Sequence, residues 1–346
     1  MRRVTVLAAA AAVTVASGLI GFNIGRIGTL QLVPVTSKIV DQELVTGAIA
    51  SQLQTSLPTP ASGGAFSEPV TPPLNLGGTN AANPKLTCKN PHSLGVSRVV
   101  EIDTTGGPGF GFEHFKQHDF LRDKEVVLTF DDGPWPTTAA VIKALADECV
   151  LATFFAIGKH ATYYPEILRK VAEAGHSVGT HTWSHQNLAK KSAEEARAEI
   201  EKAISAVQWA LGDSAQQAAF FRFPALSHPG EMVTYLGGRN IAVFSTDMDS
   251  LDFKVRKPEQ IIKSVMTRLQ KQGKGIVLMH DFQTGTSQAL PQLLAELKAG
   301  GYKIVHLKSA KTIQTLTQFD EELQNDQKLA TVSQRPTSSV VRDLRP

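Results

Sequence analysis

From Glu125 to Val305, short apolar runs alternate with longer amphipathic stretches, and this alternation restricts the chain to a small set of folds. The runs are Glu125–Phe130, Thr153–Ile157, His176–Gly179, Ala219–Phe223, Ile241–Ser245, Gly275–Met279 and Tyr302–Val305. Between them lie Thr137–Asp147, Ala161–Ala174, Ser192–Leu211, Glu231–Arg239, Pro258–Lys271 and Ser287–Lys298, which read as helices. Strands that are apolar on both faces need cover on both, and crossover helices supply it, so a parallel sheet is expected. About seven such units in roughly 200 residues predict an α/β fold, a distorted and incomplete (β/α) barrel with function at the C-terminal strand ends. No internal repeat is visible.

What stands at those strand ends suggests chemistry. The first run stops on Asp131-Asp132-Gly133-Pro134. Two neighbouring carboxylates at the mouth of an apolar strand repel unless a cation or a shared proton sits there. Alone, they would read as a turn with both acids in water. After the third run comes His181-Thr182-Trp183-Ser184-His185, an i, i+4 pair expected on one face of a helical turn. Two imidazoles and one carboxylate make a hydrolytic metal site with open positions. His114 and His118 share that spacing but precede the first run, and are read as structural.

The fourth run leads into Arg222-Phe223-Pro224-Ala225. There a guanidinium can orient a carboxylate, and the proline fixes the following turn. Asp247, Asp249, Asp252 and Phe253 follow the fifth run, as an acidic loop equally consistent with solvated acids. The sixth ends on His280-Asp281, whose imidazole is a general-acid candidate.

In this order the motifs resemble those of the polysaccharide deacetylases with NodB homology, carbohydrate esterase family 4, over about Asp123 to Leu307. T-F-D-D-G-P stands unaltered at Thr129–Pro134 and H-[ST]-x-x-H at His181–His185. The resemblance implies that Asp131 is the general base. Asp132, His181 and His185 would be ligands of a divalent metal, zinc in first place, with cobalt, nickel or manganese as alternatives. It further implies that Arg222 orients Asp131 and that His280, tuned by Asp252, protonates the leaving amine. Leu278 and Phe253 would wall the pocket for the acetyl methyl, beside Pro224 and the backbone N–H of Ala225.

Two positions depart from the family pattern. Ala225 stands where an aromatic normally follows the third motif's proline, and Phe253 where a Trp is usual. Both alter the groove rather than the chemistry. The implied function is removal of N-acetyl groups from amino sugars of a cell-wall or extracellular polysaccharide. The alternatives are an O-acetyl esterase on a xylan-type glycan and an inactive member that binds glycan.

The flanks look different. No charge occurs between Arg3 and Arg26, and the Ala/Val-rich run Val4–Ile24 reads as an export signal or an N-terminal anchor. Cleavage near Ser17 and retention both stay open, with membrane contact only if the segment is uncleaved; either way the body is expected outside the cytoplasm. Residues 1–26 are assigned to that segment, 27–87 to a Pro/Gly/Ser-rich spacer, 88–318 to the NodB-like domain and 319–346 to a polar tail. A net charge of +3 with no basic block gives no support for a nucleic-acid partner. Cys88 and Cys149 are the two cysteines, and a disulfide and two unpaired thiols are equally weighted.

Overall fold

The computed structural model describes residue 88 and residues 90–329. Its strands are β1 (Val96–Ile102), β2 (Gly109–Phe110), β3 (Glu125–Asp131), β4 (Thr153–Ala156), β5 (Ser177–Thr180), β6 (Phe220–Phe221), β7 (Ala242–Phe244), β8 (Met248–Asp249), β9 (Gly275–His280) and β10 (Lys303–Ser309). The helices are α1 (Thr138–Asp147), α2 (Gly158–Tyr163), α3 (Pro165–Glu173), α4 (Ala193–Leu211), α5 (Gly230–Gly238), α6 (Pro258–Gln272), α7 (Thr284–Ala299) and α8 (Thr317–Leu329). Every ladder joining these strands is parallel, as the alternation of apolar runs and helices predicts.

The strand order is β1-β10-β3-β4-β5-β6-β7-β2, with β9 on β3 and β8 on β9. β3 is the organising strand because it serves three neighbours. One edge carries β9 from Val126 to Asp131; the other is shared, β10 taking Glu125 and Val126 and β4 taking Thr129 to Asp131. All seven β3 residues are buried. Their side chains alternate between faces, as the two-residue period of a strand demands. Val126, Leu128 and Phe130 pack under the outer helices with Leu145, Leu290 and Leu294. Val127 packs inward with Phe155, Phe220, Phe244 and Val305, leaving Thr129 and Asp131 on the inner face above it.

The sheet is not closed. No ladder joins β2 to β8 among the described residues, and the seam is spanned instead by one side chain. The Asp247 carboxylate accepts the Phe112 N–H at 2.6 Å on one side and the Ile276 N–H at 2.7 Å on the other. Burial raises its pKa, which those two N–H donors partly offset.

Several elements differ from the sequence expectation, each for a local reason. The helix expected over Ala161–Ala174 is two helices, because Pro165 supplies no N–H and drives Tyr164 out of the helical region (φ −134°, ψ 54°). β1 was not expected: its only ladder among the described residues is with β10, and it carries Ser97, Arg98 and Glu101 among its apolar residues. Arg98 pairs with buried Glu125. β2 and β8 are two residues each, too short to show a period.

Residues 317–329, assigned in large part to a loose polar tail, form α8. It is held to α4 by buried Leu323 and by Lys202, whose ammonium meets Glu322 at 2.6 Å and Asp326 at 2.9 Å. α4 itself begins at the capping box Ser192/Glu195 and buries Ile200, Ile204 and Val207.

Cys88 and Cys149 form a disulfide, resolving the alternative left open by the sequence. It closes a loop of sequence separation 61, worth about 4 kcal/mol in the chain-entropy model. Among the described residues no helix is long and apolar enough to cross a membrane. The segment 1–26 and the spacer 27–87 lie outside the described residues.

Candidate active site

The site is built around a buried cation. Arg222, just past β6, is fully buried with its guanidinium 4.3 Å from the Phe155 ring centre. A buried charge must be paired and hydrogen-bonded. Nη1 donates to Asp131 Oδ1 at 2.8 Å and Thr129 Oγ1 at 2.7 Å, while Nη2 donates to the Ser245 carbonyl at 2.8 Å and Nε to that of Phe244 at 3.3 Å. Asp131 is thereby held on the inner face of β3, 2% exposed. The register of β3 on β9 places Asp131 beside His280.

The His pair does not lie on a helical turn. Residues 181–185 form an irregular loop in which Thr182 (φ 65°) and His185 (φ 58°) take left-handed backbone. Glu199 of α4 braces it: its carbonyl accepts the Trp183 N–H at 2.8 Å and its carboxylate accepts the Ser184 N–H and hydroxyl at 2.9 and 2.7 Å. The loop brings both rings onto Asp132, whose Oδ1 lies 3.4 Å from His181 Nε2 and 3.3 Å from His185 Nε2.

One donor atom from each of Asp132, His181 and His185 falls within 4.8 Å of the others, the only such set of three or more among the described residues. His181 Nδ1 donates to the Arg222 carbonyl at 2.7 Å, which leaves its Nε2 lone pair facing the gap. Burial, opposed by Asp131 and Asp132, lowers the His181 pKa and favours the neutral, ligating form. Asp132 Oδ1 is buried without a hydrogen-bond partner among the described residues. An orphaned carboxylate oxygen facing the Nε2 atoms of two imidazoles fits a divalent cation.

His280 closes the opposite side. Its Nδ1 donates to Asp252 Oδ1 at 2.6 Å, and Asp252 Oδ2 accepts the His280 N–H at 2.7 Å and the Thr286 hydroxyl at 2.5 Å. Burial alone would lower the His280 pKa. The Asp252 hydrogen bond and charge, with Asp132 and Asp131 beyond, outweigh it and raise the value to about 9. For Asp252, burial pushes upward and His280 wins, leaving a lowered pKa. Asp252 is fully buried, so at this position the acidic loop is not solvated.

These groups share a cavity of about 470 Å³ with Phe223, Ala225, Leu226, Asp249, Phe253 and Leu278. Pro224 is buried behind Ala225. Ala225 and Leu226 both adopt left-handed backbone (φ 52° and 51°), and the Ala225 N–H has no hydrogen-bond partner among the described residues. Glu113 and His114 also line the cavity. His114, read from sequence as structural, is therefore a wall of the site, its Nδ1 2.7 Å from Ser245 Oγ, whereas His118 packs on Phe110. Nothing in the local spacing of Glu113, His114, Glu199 or Thr286 marks them; the turn after β2, the second turn of α4 and the start of α7 bring them in.

Residues 119–240 match the family model described as polysaccharide deacetylase. The chitooligosaccharide deacetylase of Azorhizobium caulinodans is 31% identical over 161 residues, covering 46% of this chain and 75% of that protein. The chain belongs to the polysaccharide deacetylase family. Chitin deacetylase 1 of Saccharomyces cerevisiae is 35% identical to this family member over 160 residues, 44% of this chain and 50% of the yeast protein. A peptidoglycan deacetylase structure from Bdellovibrio bacteriovorus superposes with a TM-score of 0.57 at 32% identity, covering 64% of this chain and 61% of that one. The chain thus spans about half the length of the yeast relative and 38% of a Listeria monocytogenes peptidoglycan-N-acetylglucosamine deacetylase.

Proposed function

We propose that this polysaccharide deacetylase is a divalent-metal hydrolase that removes N-acetyl groups from amino sugars of a cell-wall or extracellular polysaccharide. The observation that carries the reading is the convergence on one cavity of an Asp-His-His donor set, a carboxylate fixed by a buried arginine, and an imidazole kept charged by Asp252. Asp132, His181 and His185 would hold the ion, with zinc first among the candidates. When bound, it supplies the positive charge that makes water acidic and polarises a carbonyl.

The chain's own groups perform the proton transfers. Asp131, with one oxygen engaged by Arg222, accepts the proton of the attacking water. The unpartnered N–H of Ala225 is available to the oxygen that gains charge as the amide carbonyl becomes tetrahedral. An amine is a poor leaving group unless protonated. His280, charged at neutral pH and opposite Asp131, donates that proton through Nε2, since Asp252 occupies Nδ1. Leu278 and Phe253 offer the acetyl methyl an apolar wall.

The disulfide supports action in an oxidising compartment, in keeping with the apolar run at residues 4–24. The test is acetate release by the metal-loaded protein from N-acetylglucosamine oligomers and from acetylated xylan. Release from the oligomers is expected. Release from xylan alone would replace amide by ester hydrolysis, and binding without release from either would make the chain a glycan-binding member.

A further inference from the structure

A second cavity, of about 520 Å³, lies on the open side of the barrel, lined by Phe112, Glu113, Lys116, Asp119, Leu121, Asp247, Gln272 and Lys274. Glu113 lines this cavity and the active-site cavity alike, so the two meet at that residue. We propose that the second cavity is a subsite for the polysaccharide itself, holding sugar units of the chain that runs out of the active site over Glu113. This rests on the deacetylase reading above and adds to it a place where substrate length is measured.

The lining suits a glycan. Phe112 is 38% exposed, one of few large apolar side chains so exposed among the described residues. A flat aromatic face open to solvent packs against the C–H face of a pyranose. Around it stand groups that bond hydroxyls: the amide of Gln272, the ion pair of Lys274 with Asp119 at 2.7 Å, and Lys116. The Glu113 carboxylate and the Lys116 ammonium line this cavity and have no partner among the described residues. An apolar platform ringed by a few polar groups is the usual make-up of a small-molecule site.

The platform is also rigidly built. The Phe112 N–H is fixed to Asp247, the Glu113 N–H donates to the Thr246 carbonyl at 3.0 Å, and the Phe115 N–H to that of Gly111 at 2.8 Å. Gly111 (φ +97°) lies so close to the Thr246 backbone that a Cβ there would collide with it. The turn that carries Phe112 and Glu113 is therefore locked against the strand connection behind Arg222. The cavity lies beside the seam where the sheet stays open between β2 and β8.

The test uses the full-length, metal-loaded protein and N-acetylglucosamine oligomers of two to six units, comparing wild type with Phe112→Ala and Gln272→Ala. Phe112 acts through a solvent-exposed ring, and its backbone hydrogen bond survives the substitution. Wild-type kcat/KM is expected to climb with length. Phe112→Ala should flatten that climb by raising KM for the longest oligomer about three- to tenfold, with kcat and all dimer kinetics unchanged; Gln272→Ala should do the same more weakly.

Calorimetric binding of a fully deacetylated glucosamine hexamer, which needs no turnover, should weaken in parallel. An unchanged hexamer-to-dimer ratio in Phe112→Ala, or an equal loss for dimer and hexamer, overturns the subsite. Absence of acetate release from every oligomer would sink the deacetylase reading instead, and the binding comparison would then decide the subsite alone.

Discussion

At the C-terminal strand ends His280 rests on the Asp252 carboxylate and its pKa rises to about 9, whereas near the start of β5 His176 and His306 are buried without any acid and fall to about 3 and about 4. His176 Nδ1 accepts the Ala152 N–H at 3.1 Å, and among the described residues His306 Nε2 meets only Ser177 Oγ, at 3.4 Å, while His176 Nε2 and His306 Nδ1 have no partner. Burial is similar at the two ends and the outcome opposite. A partner of opposite charge decides whether a buried imidazole is a proton donor or an inert polar ring.

If the proposed function holds, the difference is broken most severely by stripping the metal from the Asp-His-His set. Exhaustive chelation, checked by elemental analysis, is expected to abolish acetate release, and a divalent ion to restore it. Full turnover without metal would mean that the Asp-His-His set is not the centre of the chemistry.

Next come the proton-transfer groups. Asp131→Asn and His280→Ala should each reduce turnover on the order of 10²–10⁴-fold with metal stoichiometry kept, while Asp132→Ala should lose the metal. Were Asp131→Asn to shed the ion and Asp132→Ala to retain it, the two adjacent acids would have exchanged roles.

The pairing itself is tested by Arg222→Met. It leaves Asp131 buried without its cation, and a loss of about 3–5 kcal/mol is expected from urea unfolding. A loss below about 1 kcal/mol would show that Arg222 and Asp131 are not coupled through burial.

The smallest effect belongs to the other end. Because His176 and His306 have folded pKa values below the unfolded value near 6.5, the unfolded chain binds protons first as pH falls. Their contribution is complete above about pH 6.5 and shrinks toward pH 4, by roughly 1.4 kcal/mol per pH unit for each histidine at the steepest. His306→Gln should shallow the acid limb of the urea midpoint by about one proton. An acid limb identical to wild type would place the acid lability elsewhere. His280 has the opposite sign: its contribution is present below about pH 6.5 and disappears as pH rises through about 9.

The ends of β3 and β9 were legible because buried parallel strands are continuous apolar runs, and there the side chain that follows the run, Asp131 or His280, faces the cavity. Val126 to Asp131 and Ile276 to His280 needed no knowledge of their neighbours. The loops were not legible in the same way. Left-handed backbone at Thr182 and His185 costs energy that the sequence spacing does not reveal, and it is offset by Glu199 from another element. α8 was unreadable because its anchor is one buried leucine and a lysine on α4, more than 100 residues away in sequence. His114 was set aside because it precedes the first apolar run, yet β2 pairs with β7 and returns it, with Glu113, to the cavity.

The Cys88–Cys149 disulfide also fixes how the domain would bear mechanical load. Tension applied to the chain ahead of residue 88 enters through the sulfur bridge at Cys149, at the junction of α1 and β4. The closed loop shields β1, the edge strand, from being peeled off β10. In the reduced protein the same pull would travel along the backbone into Val96 and strip that edge first.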